Sequence, residues 1–219
     1  MLDASTNLKL SSDEQLLVEN PGWILTKRGI IEKAVLLLSD VCERMKQIIA
    51  EEKTGLPPAV RLSEPKISKG ENYRMLPYVL LDYPRCFDRE NIFAVRTLFW
   101  WGNFFSITLH LSGNYKKEFG SQLLKDYEQL ISGEYYICVN DDQWQHHFET
   151  GNYLPLSGLS ADEIKRILQQ QSFIKIARKF PLGEWNEITE KLVKAFVELT
   201  KPLSKAPSYP FPEGEDTPS

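Results

Sequence analysis

Apolar residues recur along this chain with two periods. Period two dominates residues 73–111, YRMLPYVLLDYPRCFDRENIFAVRTLFWWGNFFSITLHL, where aromatic and β-branched side chains suit a pleated, half-buried surface. Trp101, Gly102 and Asn103 separate two of its runs, and Gly and Asn accept the positive φ of a tight turn. The pattern predicts antiparallel strands over residues 92–100 and 104–111. A three-residue loop pairs Phe99 with Phe105 and Ala94 with His110. It collects Phe93, Val95, Thr97, Phe99, Phe105, Ile107, Leu109 and Leu111 on one face. Arg96, Ser106, Thr108 and His110 share the other with Ala94, Leu98 and Phe104. A two-residue loop would mix the polar and apolar sets, because a one-residue slip flips a strand's faces.

Residues 75–83 read as a third strand, with Pro77 at its start or on an edge because proline lacks a backbone donor. Residues 134–139, EYYICV, read as a fourth. Residues 173–177, FIKIA, fit either a fifth strand or the continuation of a helix. Residues 59–72 read as a polar loop, with a short edge strand at 60–62 as the alternative.

The helical period governs the rest. Ser11-Ser12-Asp13-Glu14 predicts a capping box before a short helix that Asn20-Pro21-Gly22 stops. Ile30, Ala34, Leu37, Leu38, Val41, Met45 and Ile48 mark a long helix over residues 27–52. Phe119, Leu123, Leu124, Tyr127, Leu130 and Ile131 mark another over 115–131, closed by Gly133 in a left-handed cap. Ser160-Ala161-Asp162-Glu163 starts a further helix. Trp185, Ile188, Leu192, Ala195, Phe196 and Leu199 line the last, over 184–200. The fold class expected is α+β: an antiparallel sheet of four or five strands with amphipathic helices packed mainly on one face. One globular domain over residues 1–204 and a disordered Pro-rich acidic tail over residues 205–219 are expected.

Composition narrows the function classes. Apolar residues make up 42% and charged ones 26% of 219 residues, enough for a sizeable core in an ordinary globular chain. The formal net charge of −4 argues against a nucleic-acid binder that relies on bulk positive field. Cys42, Cys86 and Cys138 form no CxxC and read as reduced thiols. No signal peptide or membrane span is visible, so a soluble cytoplasmic protein, bacterial in texture, is expected. Phosphate loops, dinucleotide fingerprints, nucleophile elbows and zinc-finger spacings are absent from the sequence.

Two constellations carry chemistry. Arg96, Thr108 and His110 share one face of the expected hairpin. They suit a small-ligand pocket roofed by a loop, with Arg96 binding a carboxylate or phosphate, or else form a plain solvent face. Residues 140–153, NDDQWQHHFETGNY, offer Asp141, Asp142, His146 and Glu149 as ligands for a divalent metal. Against that, adjacent His146 and His147 point different ways on any regular backbone. The leading expectation is a non-enzymatic binding or interaction module, for a small anionic ligand or a protein partner, with no cofactor. The alternative is a metal-dependent hydrolase or nuclease using the loop from Asp141 to Glu149. The Trp100-Trp101 aromatic cluster is a candidate contact for a homo-oligomer.

Overall fold

The computed structural model describes residues 8–51, 56–125 and 127–205. Helices α1 (Ser12–Glu19), α2 (Gly22–Glu51) and α3 (Pro58–Arg61) come first. Four strands follow in succession: β1 (Lys66–Tyr73), β2 (Leu76–Phe87), β3 (Ile92–Trp100) and β4 (Phe104–Ser112). Then come α4 (Gly113–Lys125), α5 (Tyr127–Ser132), β5 (Tyr136–Cys138), β6 (Tyr153–Pro155), α6 (Ala161–Gln170), β7 (Phe173–Pro181) and α7 (Ile188–Thr200). The class is α+β. The sheet is antiparallel throughout and has seven strands, in the order β1-β2-β3-β4-β7-β5-β6, rather than four or five.

Of the strands not expected, β1 lies where the sequence is poor in apolar residues and β6 is only three residues long. β1 occupies a segment expected to be loop. As the sheet's edge it needs no apolar outer face, and its lysines and glutamate suit an exposed edge. Residues 60–62 end a short helix and form no strand. The turn joining β1 to β2 is Arg74-Met75, both at positive φ (50° and 68°). Such a turn ordinarily uses Asn-Gly, so nothing in the sequence announced it. FIKIA belongs to a strand, β7.

The β3–β4 register is the one expected: Phe99 faces Phe105, and Ala94 faces His110. Gly102 in the intervening turn has φ 71°. Side chains of Phe93, Val95, Phe99, Phe105, Ile107, Leu109 and Leu111 form one core with stripes from α2 (Ala34, Leu38, Val41, Met45), α4 (Phe119, Leu123) and α7 (Leu192, Phe196, Leu199). Thr97 lies on that apolar face, fully buried, and its hydroxyl has no hydrogen-bond partner. Leu80, Leu98 and Trp100 form a separate small cluster on the other face.

Helix boundaries shift from expectation at several points. Pro21-Gly22 starts α2 rather than only stopping α1, since proline fits the first turn of a helix. The left-handed residue after α5 is Glu134 (φ 59°), not Gly133. Trp185 precedes α7, following a 3-10 turn at Leu182–Glu184, and packs edge-on against Phe99 and Phe105. The expected tail lies outside the described residues, except for Lys205 at the end of a 3-10 turn. Among the described residues, no helix is long and apolar enough to cross a membrane.

Candidate functional site

The pleat places one straight row of side chains across the sheet. Lys66 faces Asp82, Asp82 faces Arg96, Arg96 faces Thr108, and Thr108 faces Ala177. A parallel row runs from Ala94 through His110 to Lys175. Opposite charges that face each other across strands attract, and here the signs alternate from Lys66 to Asp82 to Arg96. The Asp82 carboxylate accepts two bonds from Arg96, Nε to Oδ1 at 2.7 Å and Nη2 to Oδ2 at 3.0 Å. Beyond Asp82 the β2 strand bulges, with a cis Tyr83–Pro84 peptide, and pairing resumes at Arg85 opposite Ala94.

Residues 140–152 roof these rows, and Arg96, His110, Lys175 and Tyr73 hold the roof by hydrogen bonds. Arg96 donates from Nη1 to His146 Nε2 at 3.2 Å. A guanidinium can only donate, so the proton of His146 sits on Nδ1. His110 Nε2 meets Gln143 Oε1 at 2.9 Å, which places its proton on Nε2. Lys175 donates from Nζ to the Gln145 carbonyl at 2.5 Å. The Tyr73 hydroxyl accepts the amides of His146 and His147 at 2.7 and 3.1 Å. Trp144 lies over the Arg96 guanidinium and edge-on to His110. Phe148 stacks on Tyr153 at 4.7 Å.

Burial sets the protonation states. His110 is pulled down to about 3, first by loss of water and then by the Lys175 charge. His146 falls well below the ordinary imidazole value for the same first reason, with Arg96 adding repulsion. Lys175, 1% exposed, is lowered to about 8 by burial, with Arg96 pushing the same way. Both histidines are therefore neutral near pH 7, while Lys175 is still mostly an ammonium there.

Beside the roof a cleft of about 310 Å3 opens over the row, lined by Lys66, Tyr73, Tyr78, Asp82, Arg96, Trp144 and their neighbours. A larger hollow of about 510 Å3 lies at the hairpin end. Its lining shares no residue with the polar row, and its charged members are Glu134 and Lys179. The chemistry concentrates in the smaller cleft.

Arg96, Thr108 and His110 thus lie on one buried face under a roof, but only Arg96 reaches the cleft. The four residues expected to bind metal are not brought together. Asp142 accepts the Trp144 amide and the Gln145 side chain, shaping a turn, and those bonds hold its carboxyl below the usual range. Glu149 pairs with Arg74. His146 is taken by Arg96, and Asp141 is exposed. Among the described residues no cluster of three His, Cys, Asp or Glu is placed to hold an ion.

Tyr73, Trp144 and Lys175 were not singled out from sequence. The one available signal was Lys175, a lysine with the apolar Phe173 and Ala177 as its two neighbours on the same strand face. Trp100 and Trp101 are engaged within the chain: Trp100 is buried and donates to the Tyr73 carbonyl, and Trp101 packs against Phe99. In comparisons with known proteins, the chain matches no family model, no curated protein and no solved structure.

Proposed function

We propose that this protein is a cytosolic binding module that holds a small anion bearing a flat ring in the cleft above Asp82 and Arg96, without acting on it chemically. The observation that carries this reading is the cleft's composition. Two cations, Lys66 and Arg96, oppose one carboxylate, Asp82, beside the rings of Tyr73, Tyr78 and Trp144. Arg96 is a fixed charge rather than a free fork, because three of its five N–H donors are engaged by Asp82 and His146. The exposed Lys66 at the rim is the donor free to meet a ligand carboxylate or phosphate. Aromatic faces take a flat ring, and an excess of positive charge selects the anion. His146 has its Nε2 occupied by Arg96 and is poorly placed to remove a proton from a ligand.

Amide chemical-shift titration of the labelled protein with benzoate, against benzamide as the neutral isostere, tests the reading. Benzoate should move the amides of Ser68, Tyr78 and Trp144 and bind about tenfold or more tighter than benzamide, ~1.4 kcal/mol. Lys66→Ala should remove most of that difference without lowering the melting temperature. Equal binding of the two probes, or shifts confined to the hairpin end, would sink the proposal.

A further inference from the structure

The N-terminal arm carries an apolar surface that its own chain leaves uncovered. Helix α1 has no buried residue. Of the thirteen large apolar side chains exposed among the described residues, eight fall between residues 8 and 25: Leu8, Leu10, Leu16, Leu17, Val18, Trp23, Ile24 and Leu25. Scattered exposed apolar residues are ordinary, but eight within eighteen consecutive residues point to a contact surface. The arm is ordered locally. Ser11 and Glu14 close a capping box, and the Trp23 indole donates to the Leu17 carbonyl, tying α1 to the start of α2.

Next to the arm lies a groove of about 440 Å3 between the first turns of α2 and the edge strand β1. Ile24 and Ile31 supply its apolar floor, and Arg28 and Lys69 stand at its rim with no ion pair among the described residues. Lys27 is already neutralised by Glu71. On α1, Leu16 is flanked at three residues on either side by Asp13 and Glu19, which share its side of the helix. The arm thus presents an apolar knob between two carboxylates, and the groove presents an apolar floor whose lining carries one cation more than carboxylates, Lys27, Arg28 and Lys69 against Glu32 and Glu71.

We infer that this groove receives the α1 arm of a second copy of the chain, and that the reciprocal exchange forms a two-fold symmetric dimer. The partner is a second copy because knob and groove, complementary in charge and in apolar surface, are carried by one sequence. A two-fold contact requires one surface to be its own complement. Leu16 and Leu17 of each arm seat on Ile24 and Ile31 of the other copy, and Glu19 meets Arg28 across the interface.

Sedimentation equilibrium on the full chain tests this. The wild type should dimerise at high micromolar concentration, and Leu16→Asp with Leu17→Asp should make it monomeric. The charge pair gives a sharper test. Glu19→Lys alone and Arg28→Glu alone should each be monomeric. An equimolar mixture of the two should dimerise, because each arm then meets a groove of opposite sign in both halves. All four residues are exposed, so each variant should keep the wild-type melting temperature, which separates loss of contact from loss of fold. A monomeric wild type, a dimer that survives the double leucine change, or single charge variants that fail to dimerise when mixed would overturn the inference. So would an arm that binds anionic phospholipid vesicles while the protein stays monomeric.

Discussion

Arg96 meets the Asp82 carboxylate side-on with two bonds, at 2.7 and 3.0 Å, and both side chains are largely withdrawn from water. Removing one member leaves the other charge buried and uncompensated. Asp82→Ala should therefore cost about 3–5 kcal/mol of unfolding free energy, and Arg96→Ala a similar amount, by denaturant titration. Asp82→Leu with Arg96→Met should recover most of that loss, because replacing both charges with apolar groups removes their desolvation cost. Two single variants that each cost under about 1 kcal/mol would show that the pair is solvated.

The β1–β2 turn places Met75 at φ 68° with its side chain 87% exposed. A left-handed conformation costs a side-chain-bearing residue roughly 1–2 kcal/mol, which glycine avoids. Met75→Gly should raise stability by about 1 kcal/mol, read as a higher melting temperature. Met75→Val, branched at Cβ, should lower it.

Thr97 supplies a second stabilising change. Its hydroxyl lies in the apolar core without a hydrogen-bond partner, between Leu81 and Ile107. Thr97→Val keeps the shape and removes the stranded polar group, so a gain of about 1–3 kcal/mol is expected. A loss in chemical denaturation would point to an unseen partner for that oxygen.

Acid should weaken the fold through the roof. His110 titrates at about 3 in the folded protein, lowered by burial and by Lys175, against an ordinary value of 6.5; His146 is lowered too. The unfolded chain binds these protons first, so stability is complete above about pH 6.5 and falls as pH drops from there toward 3. The slope is at most ~1.4 kcal/mol per pH unit for each histidine. His110→Gln should flatten part of the fall between pH 6.5 and 5. An unchanged slope would place the acid sensitivity elsewhere.

In the core, Phe196 is fully buried and Trp185 only partly so. Phe196→Ala should cost about 3–5 kcal/mol, and Trp185→Ala clearly less. Equal losses would mean that the edge contacts of Trp185 with Phe99 and Phe105 carry more than its burial suggests.

The hairpin was legible because two signals agreed on it. The alternation of Phe93 to Leu111 and the Gly102-Asn103 turn chemistry select the same register. The α2 and α7 stripes were legible for the same reason, since a long helix repeats its period many times. β1 was hidden because an edge strand needs no apolar alternation and because Arg74-Met75 is a turn without turn residues. The candidate site was legible by half. The faces of Arg96, Thr108 and His110 follow from register, but Lys175 and Tyr73 reach the site through contacts between segments far apart in sequence. No local pattern encodes those contacts.

The roof also bears on how β7 finds its place. Apolar alternation detects a slip of one residue but is blind to a slip of two, since the same faces stay inside. His110 and Lys175 face each other across β4 and β7, and Gln143 and Gln145, two apart in the roof, hold one each. If β7 slid by two residues, Phe173 or Ala177 would stand opposite His110, and the Gln145 carbonyl would lose its ammonium. The loop thus works as a gauge that is satisfied at a single alignment of two strands more than sixty residues apart.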